Sequence, residues 1–204
     1  MDTDNILLIK KGDVIERRPL SLSEAFSPTK TNPLECFLIV FKGDVNVCVD
    51  LKEEGAFCSI KTLYLASKNN QINLNIQVNH LTRETKSSQI IKGIATDKSK
   101  VSFNGNIYID NLAQKSDGLQ NHRAVLLSDD ACIQAVPALE IYADDVKCAH
   151  GSATGPLDET VLFYLLSRGI SLKTAEKMLL MSFVADIVPE EYKNITQQWI
   201  ENHV

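Results

Sequence analysis

The chain has 204 residues, 44% of them apolar, and carries 21 Lys and Arg against 26 Asp and Glu, a formal charge of −5. This composition supports a globular fold with a sizeable core and excludes wholesale disorder. The basic residues are scattered and give no stripe for neutralising phosphates, so nucleic acid is not expected as a partner.

The chain opens on MDTDNILLIKKGD, an acidic start whose apolar run, Ile6 to Ile9, is far too short for a signal h-region or a membrane span. A cytoplasmic protein with no membrane partner is expected. From about Leu34 to Val146 short extended segments alternate with turn residues. In QINLNIQVNH, Ile72, Leu74, Ile76 and Val78 share one face while Gln71, Asn73, Asn75, Gln77 and Asn79 take the other, the period of a strand with one buried side. CFLIVF, VNVCVDL after a Lys42-Gly43-Asp44 turn, and NIYID after an Asn104-Gly105 turn read the same way. Eight or more segments at roughly ten-residue intervals fit a β-sandwich, a barrel or a stacked β-solenoid, and no strict repeat chooses among them.

After Gly155 the composition turns helical. Asp158 is placed to cap a helix with Glu159 in its first turn, Leu162, Phe163, Leu165 and Leu166 form an apolar stripe, and Gly169 is placed to stop it. Ser171 caps a second helix carrying Leu172, Ala175, Met178, Leu179 and Ile187, and Pro189 begins a third with Tyr192, Ile195 and Trp199 on one side. The division expected is a β domain over 1–155 and a helical unit over 156–204.

Five cysteines with no C-x-x-C pair argue against a disulfide framework or a self-contained zinc site. Cys36, Cys48, Cys58 and Cys132 read as small buried hydrophobes. Cys148 differs, because EIYADDVKCAHGSATG sets His150 two residues beyond it. In an extended segment the two side chains share a face. The apolar positions before Asp144-Asp145 have the opposite parity, which predicts a bend or bulge there. Thiolate and imidazole are the usual protein ligands of iron and zinc, but two donors do not complete a site, and His80 and His122 are too isolated in sequence to be assigned. Packing of Cys148, metal ligation and a Cys-His nucleophilic dyad stay open on the residues alone. Two glycines, Gly151 and Gly155, read as a permissive hinge, and no P-loop motif is present.

The run from Gln89 to Ile187 resembles the C-terminal core of the SufB/SufD family of iron-sulfur cluster assembly proteins. The resemblance rests on FNG (Phe103 to Gly105), AQKSD (Ala113 to Asp117), LEIYADDVKCAHG (Leu139 to Gly151) and LFYLLSRGI (Leu162 to Ile170). The KCAHG form, with Gly151 after the histidine, is closer to the SufD branch. It implies a right-handed parallel β-helix followed by a small helical domain, and a non-enzymatic scaffold. It further implies pairing with SufB or a second copy through β-helix edges, docking of a SufC-type ABC ATPase on the C-terminal helices, and a transient iron-sulfur cluster at the subunit interface. On this resemblance His150 matches an interface histidine proposed as a cluster ligand and Cys148 the neighbouring cysteine. Family members carry a long N-terminal helical region for which residues 1–35 are too few, so a short form is expected. Competing expectations are a structural homodimer without cluster chemistry and a β-solenoid enzyme on acidic polysaccharide using Asp129-Asp130 or Asp144-Asp145.

Overall fold

The protein is described by a computed structural model over residues 6–11, 14–19 and 23–204, with side chains from residue 25 onward. The acidic stretch at residues 1–5 lies outside the described residues.

Among the described residues, twelve strands precede three helices: β1 (Ile6–Lys11), β2 (Val14–Pro19), β3 (Ser23–Phe26), β4 (Leu34–Val40), β5 (Gly43–Leu51), β6 (Phe57–Ala66), β7 (Gln71–His80), β8 (Lys86–Ala95), β9 (Lys100–Ile109), β10 (Asp117–Leu126), β11 (Cys132–Ile141), β12 (Lys147–Gly155), then α1 (Glu159–Ser167), α2 (Leu172–Val184) and α3 (Glu190–His203). From β3 onward successive strands alternate between two sheets. One runs β12-β10-β8-β6-β4-β1-β2 and the other β11-β9-β7-β5-β3. All pairs from β3 to β12 are parallel and in register, whereas β1 pairs antiparallel with β2 and β4. Parallel pairing of every second strand, with no crossover helix, defines a coiling β-solenoid. Of the three architectures open on periodicity, this is the one the chain adopts, in agreement with the family resemblance.

Strand alternation explains the coil. In β7, Ile72, Leu74, Ile76 and Val78 are buried, as the period-two pattern predicts, and stack inside the coil with Val45, Val47 and Val49 of β5 and Val101 and Phe103 of β9. Each such aliphatic side chain contributes roughly 1.5–3 kcal/mol when fully buried. The outward positions form amide ladders. Asn104 donates to Asn75 (2.9 Å) and Asn75 to Asn46 (2.8 Å), while Asn73 donates to Asp44 and Asn79 to Asp50, each one coil or 29 residues back. Stacked amides satisfy one another on an exposed sheet as they do in other in-register stacks.

Gly43, at φ +82, turns the chain from β4 into β5 as expected. The expected Asn104-Gly105 turn does not exist, since both residues lie inside β9. Asn104 belongs to the outer amide ladder. Gly105 faces the interior, where an added Cβ would come within 2.4 Å of the Gln120 side chain. The glycine is required by a close approach inside the coil, not by a change of direction.

The helices pack on the outer face of the larger sheet. Leu180, Val184, Ile187, Val188, Tyr192, Trp199 and Ile200 meet Phe37 and Ile39 of β4, Leu63 and Leu65 of β6, Ile94 of β8 and Val125 of β10. Lys92 on β8 fastens this contact by donating to the Phe183 carbonyl at 2.6 Å and to Asp186. Asp158 and Ser171 cap α1 and α2 as expected, Gly169 at φ +81 ends the first helix, and Pro189 stands at the cap of α3. The buried face of α2 is Ala175, Leu180 and Val184, while Leu172 and Met178 of the expected stripe are exposed. None of α1 is buried. Its apolar stripe is split, with Leu162 and Leu165 half-buried and Phe163 and Leu166 exposed.

Candidate functional site at the open end of the coil

The last coil consists of β11 and β12, the outermost strands of their sheets at one end of the solenoid. Each therefore presents one edge without a strand partner among the described residues. Between them the chain turns a corner at Asp144-Asp145. The predicted change of side-chain parity is real, but its cause is this passage from one sheet to the other and not a bulge. Both acidic pairs, Asp129-Asp130 and Asp144-Asp145, are exposed and sit in such corners.

Parallel register assigns each residue of β12 a neighbour in β10: Cys148 lies beside Gly118, His150 beside Gln120, and Ser152 beside His122. These β10 positions are inward, so Cys148, His150 and Ser152 continue the interior columns at their exposed end. The Cys148 sulfur rests over Gly118, where an added Cβ would meet it at 3.3 Å. Cys148 is half-buried, packing with Leu139 and Val146 against Ile107, Ile109, Ala113 and Ala143. Burial, and secondarily the Asp117 carboxylate, push its thiol pKa up, so in the isolated chain it is a neutral thiol. His150 is exposed. Among the described residues no three His, Cys, Asp or Glu side chains gather as a metal site. This chain brings two donors to one face and leaves the set open.

Beneath them the coil interior is polar, which sequence reading missed. His122 is fully buried, with its ring stacked 5.0 Å from Phe103 and 5.9 Å from Tyr64 between centroids. Its Nε2 lies 2.9 Å from the Tyr64 hydroxyl and its Nδ1 3.1 Å from the Ser152 hydroxyl. Burial lowers its pKa to about 4, so the neutral ring donates through one nitrogen and accepts through the other. Gln120, also fully buried, donates its Nε2 to the Gln89 Oε1 at 2.9 Å, while its own Oε1 has no partner among the described residues. His80 bonds Thr85 and Ser87 through its two nitrogens, both at 2.8 Å. The signal that could have found these residues is the coil step itself: His122 and Ser152 are 30 residues apart and Gln89 and Gln120 are 31. Of the other cysteines, Cys36 and Cys58 are buried as expected, and burial pushes the Cys58 thiol up to about 12. Cys48 is only partly buried and Cys132 is exposed, because Cys132 lies in register beside the exposed Lys100, on the outward face of its sheet.

Fold and site together define a parallel β-solenoid with an open terminal coil that carries a thiol-imidazole pair, flanked by a helical unit with an exposed apolar face. The chain belongs to the family described as SUF system FeS cluster assembly, SufBD core domain, whose model matches residues 39–183. The match extends the resemblance back from Gln89 into β4. The iron-sulfur cluster assembly protein SufD of Escherichia coli is 35% identical over 142 residues, covering 70% of this chain and 34% of that protein. SufD of Bacillus subtilis is 30% identical (69% of this chain, 32% of that protein) and SufB of the same organism 27% (69% and 30%). The higher identities to SufD agree with the KCAHG form. The chain spans about a third of the length of these curated relatives. Among the described residues no helix is long and apolar enough to cross a membrane.

Proposed function

We propose that this chain is a non-enzymatic scaffold subunit of the SUF machinery, working in the cytoplasm, whose cargo is a nascent iron-sulfur cluster. The observation that carries this reading is the coincidence, at one end of the coil, of two open strand edges with His150 and Cys148 on a shared face. A partner coil, from SufB or a second copy of this chain, satisfies the open backbone groups and brings the missing donors. His150 is the ligand from this side, and Cys148, more deeply packed, is its neighbour. In this reading residues 1–155 are the β-helix core and 156–204 the docking unit. An ABC-type ATPase of the SufC kind seats on the outward stripe of α1, where Phe163 is 71% and Tyr164 55% exposed, joined by Leu172 and Met178 of α2. Unpaired apolar faces of this kind mark protein interfaces.

Two measurements test this. His150→Ala in the assembled complex is expected to lower bound iron and sulfide after anaerobic reconstitution by half or more, with an unchanged circular dichroism spectrum. Unchanged iron and sulfide would remove His150 as a ligand. Phe163→Asp is expected to weaken capture of a SufC-type ATPase by more than tenfold, since a buried aromatic anchor at an interface is worth about 2 kcal/mol or more. Undiminished capture would place the ATPase elsewhere.

A further inference from the structure

We propose that Gln120 is the positioning residue of His150: a turn of the exposed imidazole brings one ring N–H to the orphaned Gln120 side-chain oxygen, which accepts it and so commits the other ring nitrogen to face out of the coil. This rests on the reading of His150 as a ligand for its purpose, but not for its geometry.

Four observations converge on Gln120. It is fully buried, and among the described residues its Oε1 has no hydrogen-bond partner, a state rare enough in folded proteins to require a cause. Its Nε2 is committed to Gln89 on the coil below, at 2.9 Å, so the free oxygen is what remains for the coil above. The residue beside it in register on that coil is His150. Gly105 supplies the space across the coil, because any Cβ there would displace the Gln120 carboxamide. The column Gln89, Gln120, His150 is then one ladder of donors and acceptors rising through the coil to its open end.

The chemistry follows from the inventory of an imidazole. A neutral ring has one N–H and one lone-pair nitrogen, and the hydrogen bond made by the first decides which nitrogen is left to bind a metal. A carbonyl oxygen behind a histidine ligand fixes the tautomer, aims the ring and raises its basicity, and its loss weakens metal binding by about 10–100-fold. The neighbouring column repeats the device, with His122 anchoring Ser152 two residues further along the same strand. Both columns hold β12 from inside, which matters for a terminal strand supported on one edge only.

The test reads the tautomer of His150 directly. In the full chain without cluster, labelled with nitrogen-15 at histidine and held at mildly alkaline pH, His150 is expected to give one dominant tautomer in its ring nitrogen shifts. Gln120→Met, close in shape but lacking the acceptor, is expected to return the ring to the mixture of a free imidazole. Gln120→Glu, which keeps an acceptor oxygen, is expected to preserve the single tautomer. A mixed tautomer in the wild type overturns the inference even if neither variant folds, and so does an unchanged spectrum in Gln120→Met. The ligand role is read separately by iron and sulfide content in the assembled complex. If His150→Ala leaves that content unchanged while the tautomer depends on Gln120, the contact stands and the ligand reading falls.

Discussion

Acidification from pH 6.5 towards pH 4 is expected to remove several kcal/mol of folding stability. The cause is two buried imidazoles. His80 and His122 are both fully buried, and desolvation lowers each pKa from 6.5 to about 4, opposed at His80 by the Asp117 carboxylate. A histidine with a depressed folded pKa takes up its proton more readily in the unfolded chain. Its contribution is therefore fully present above pH 6.5 and is lost as the pH falls towards the folded value. A difference of two to three pH units corresponds to about 3 kcal/mol per group, so the pair accounts for roughly 6 kcal/mol, comparable with the whole stability of an ordinary domain. Urea midpoints measured at half-unit steps between pH 7.5 and pH 4.5 check this. They should fall steeply below pH 6.5, and His80→Gln should flatten part of the slope. A flat profile across the window would mean that both rings accept a proton without cost. Asp50 acts in a different range: hydrogen bonds from Asn79 and Lys52 hold its carboxyl below the usual value, so its contribution fades only as the pH drops further.

The reason a sequence this regular conceals its coil lies in the corners. Strand alternation in QINLNIQVNH or VNVCVDL is a local property and survives intact in β7 and β5. The coil step is not local. It is 29 residues between Asn46 and Asn75, 31 between Gln89 and Gln120, and 30 between His122 and Ser152, because each corner is built separately. Several corners pass through left-handed residues that are not glycine, among them Lys68, Glu84 and Lys115, which carry no turn signature in sequence. Without the step, Gln120 and His122 cannot be placed beside His150 and Ser152, so the site could be read only along its own strand. The same blindness produced the false turn at Asn104-Gly105, where a glycine that clears space for a neighbouring coil has the composition of a hairpin. For α1 the difficulty is of another kind. Helical spacing identifies an apolar face but not what covers it, and Phe163 and Tyr164 remain outside.

Gly93→Ala is expected to destabilise the protein by about 3–5 kcal/mol, a large effect for one methyl group, combining an overpacked interior with buried polar groups left unpaired. Gly93 stands beside Tyr64 in register, on the next coil, and faces inward. An added Cβ would fall 1.8 Å from the Tyr64 ring and 2.4 Å from its hydroxyl, contacts that no rotamer adjustment of a methyl relieves. Tyr64 occupies that gap because its ring spans the Gly93 level to reach the His122 Nε2 at 2.9 Å. Displacing it would strand two fully buried polar groups inside the coil, and would loosen the support that His122 gives Ser152 on the terminal strand. A double-mutant cycle isolates the cause. Tyr64→Leu removes the ring atoms that the new methyl strikes, so Gly93→Ala should cost under about 1 kcal/mol in that background, a strong departure from additivity. Equal costs in both backgrounds, read from urea denaturation at pH 7.5, would show that the glycine serves the backbone alone and that the path from Tyr64 through His122 to β12 does not depend on it.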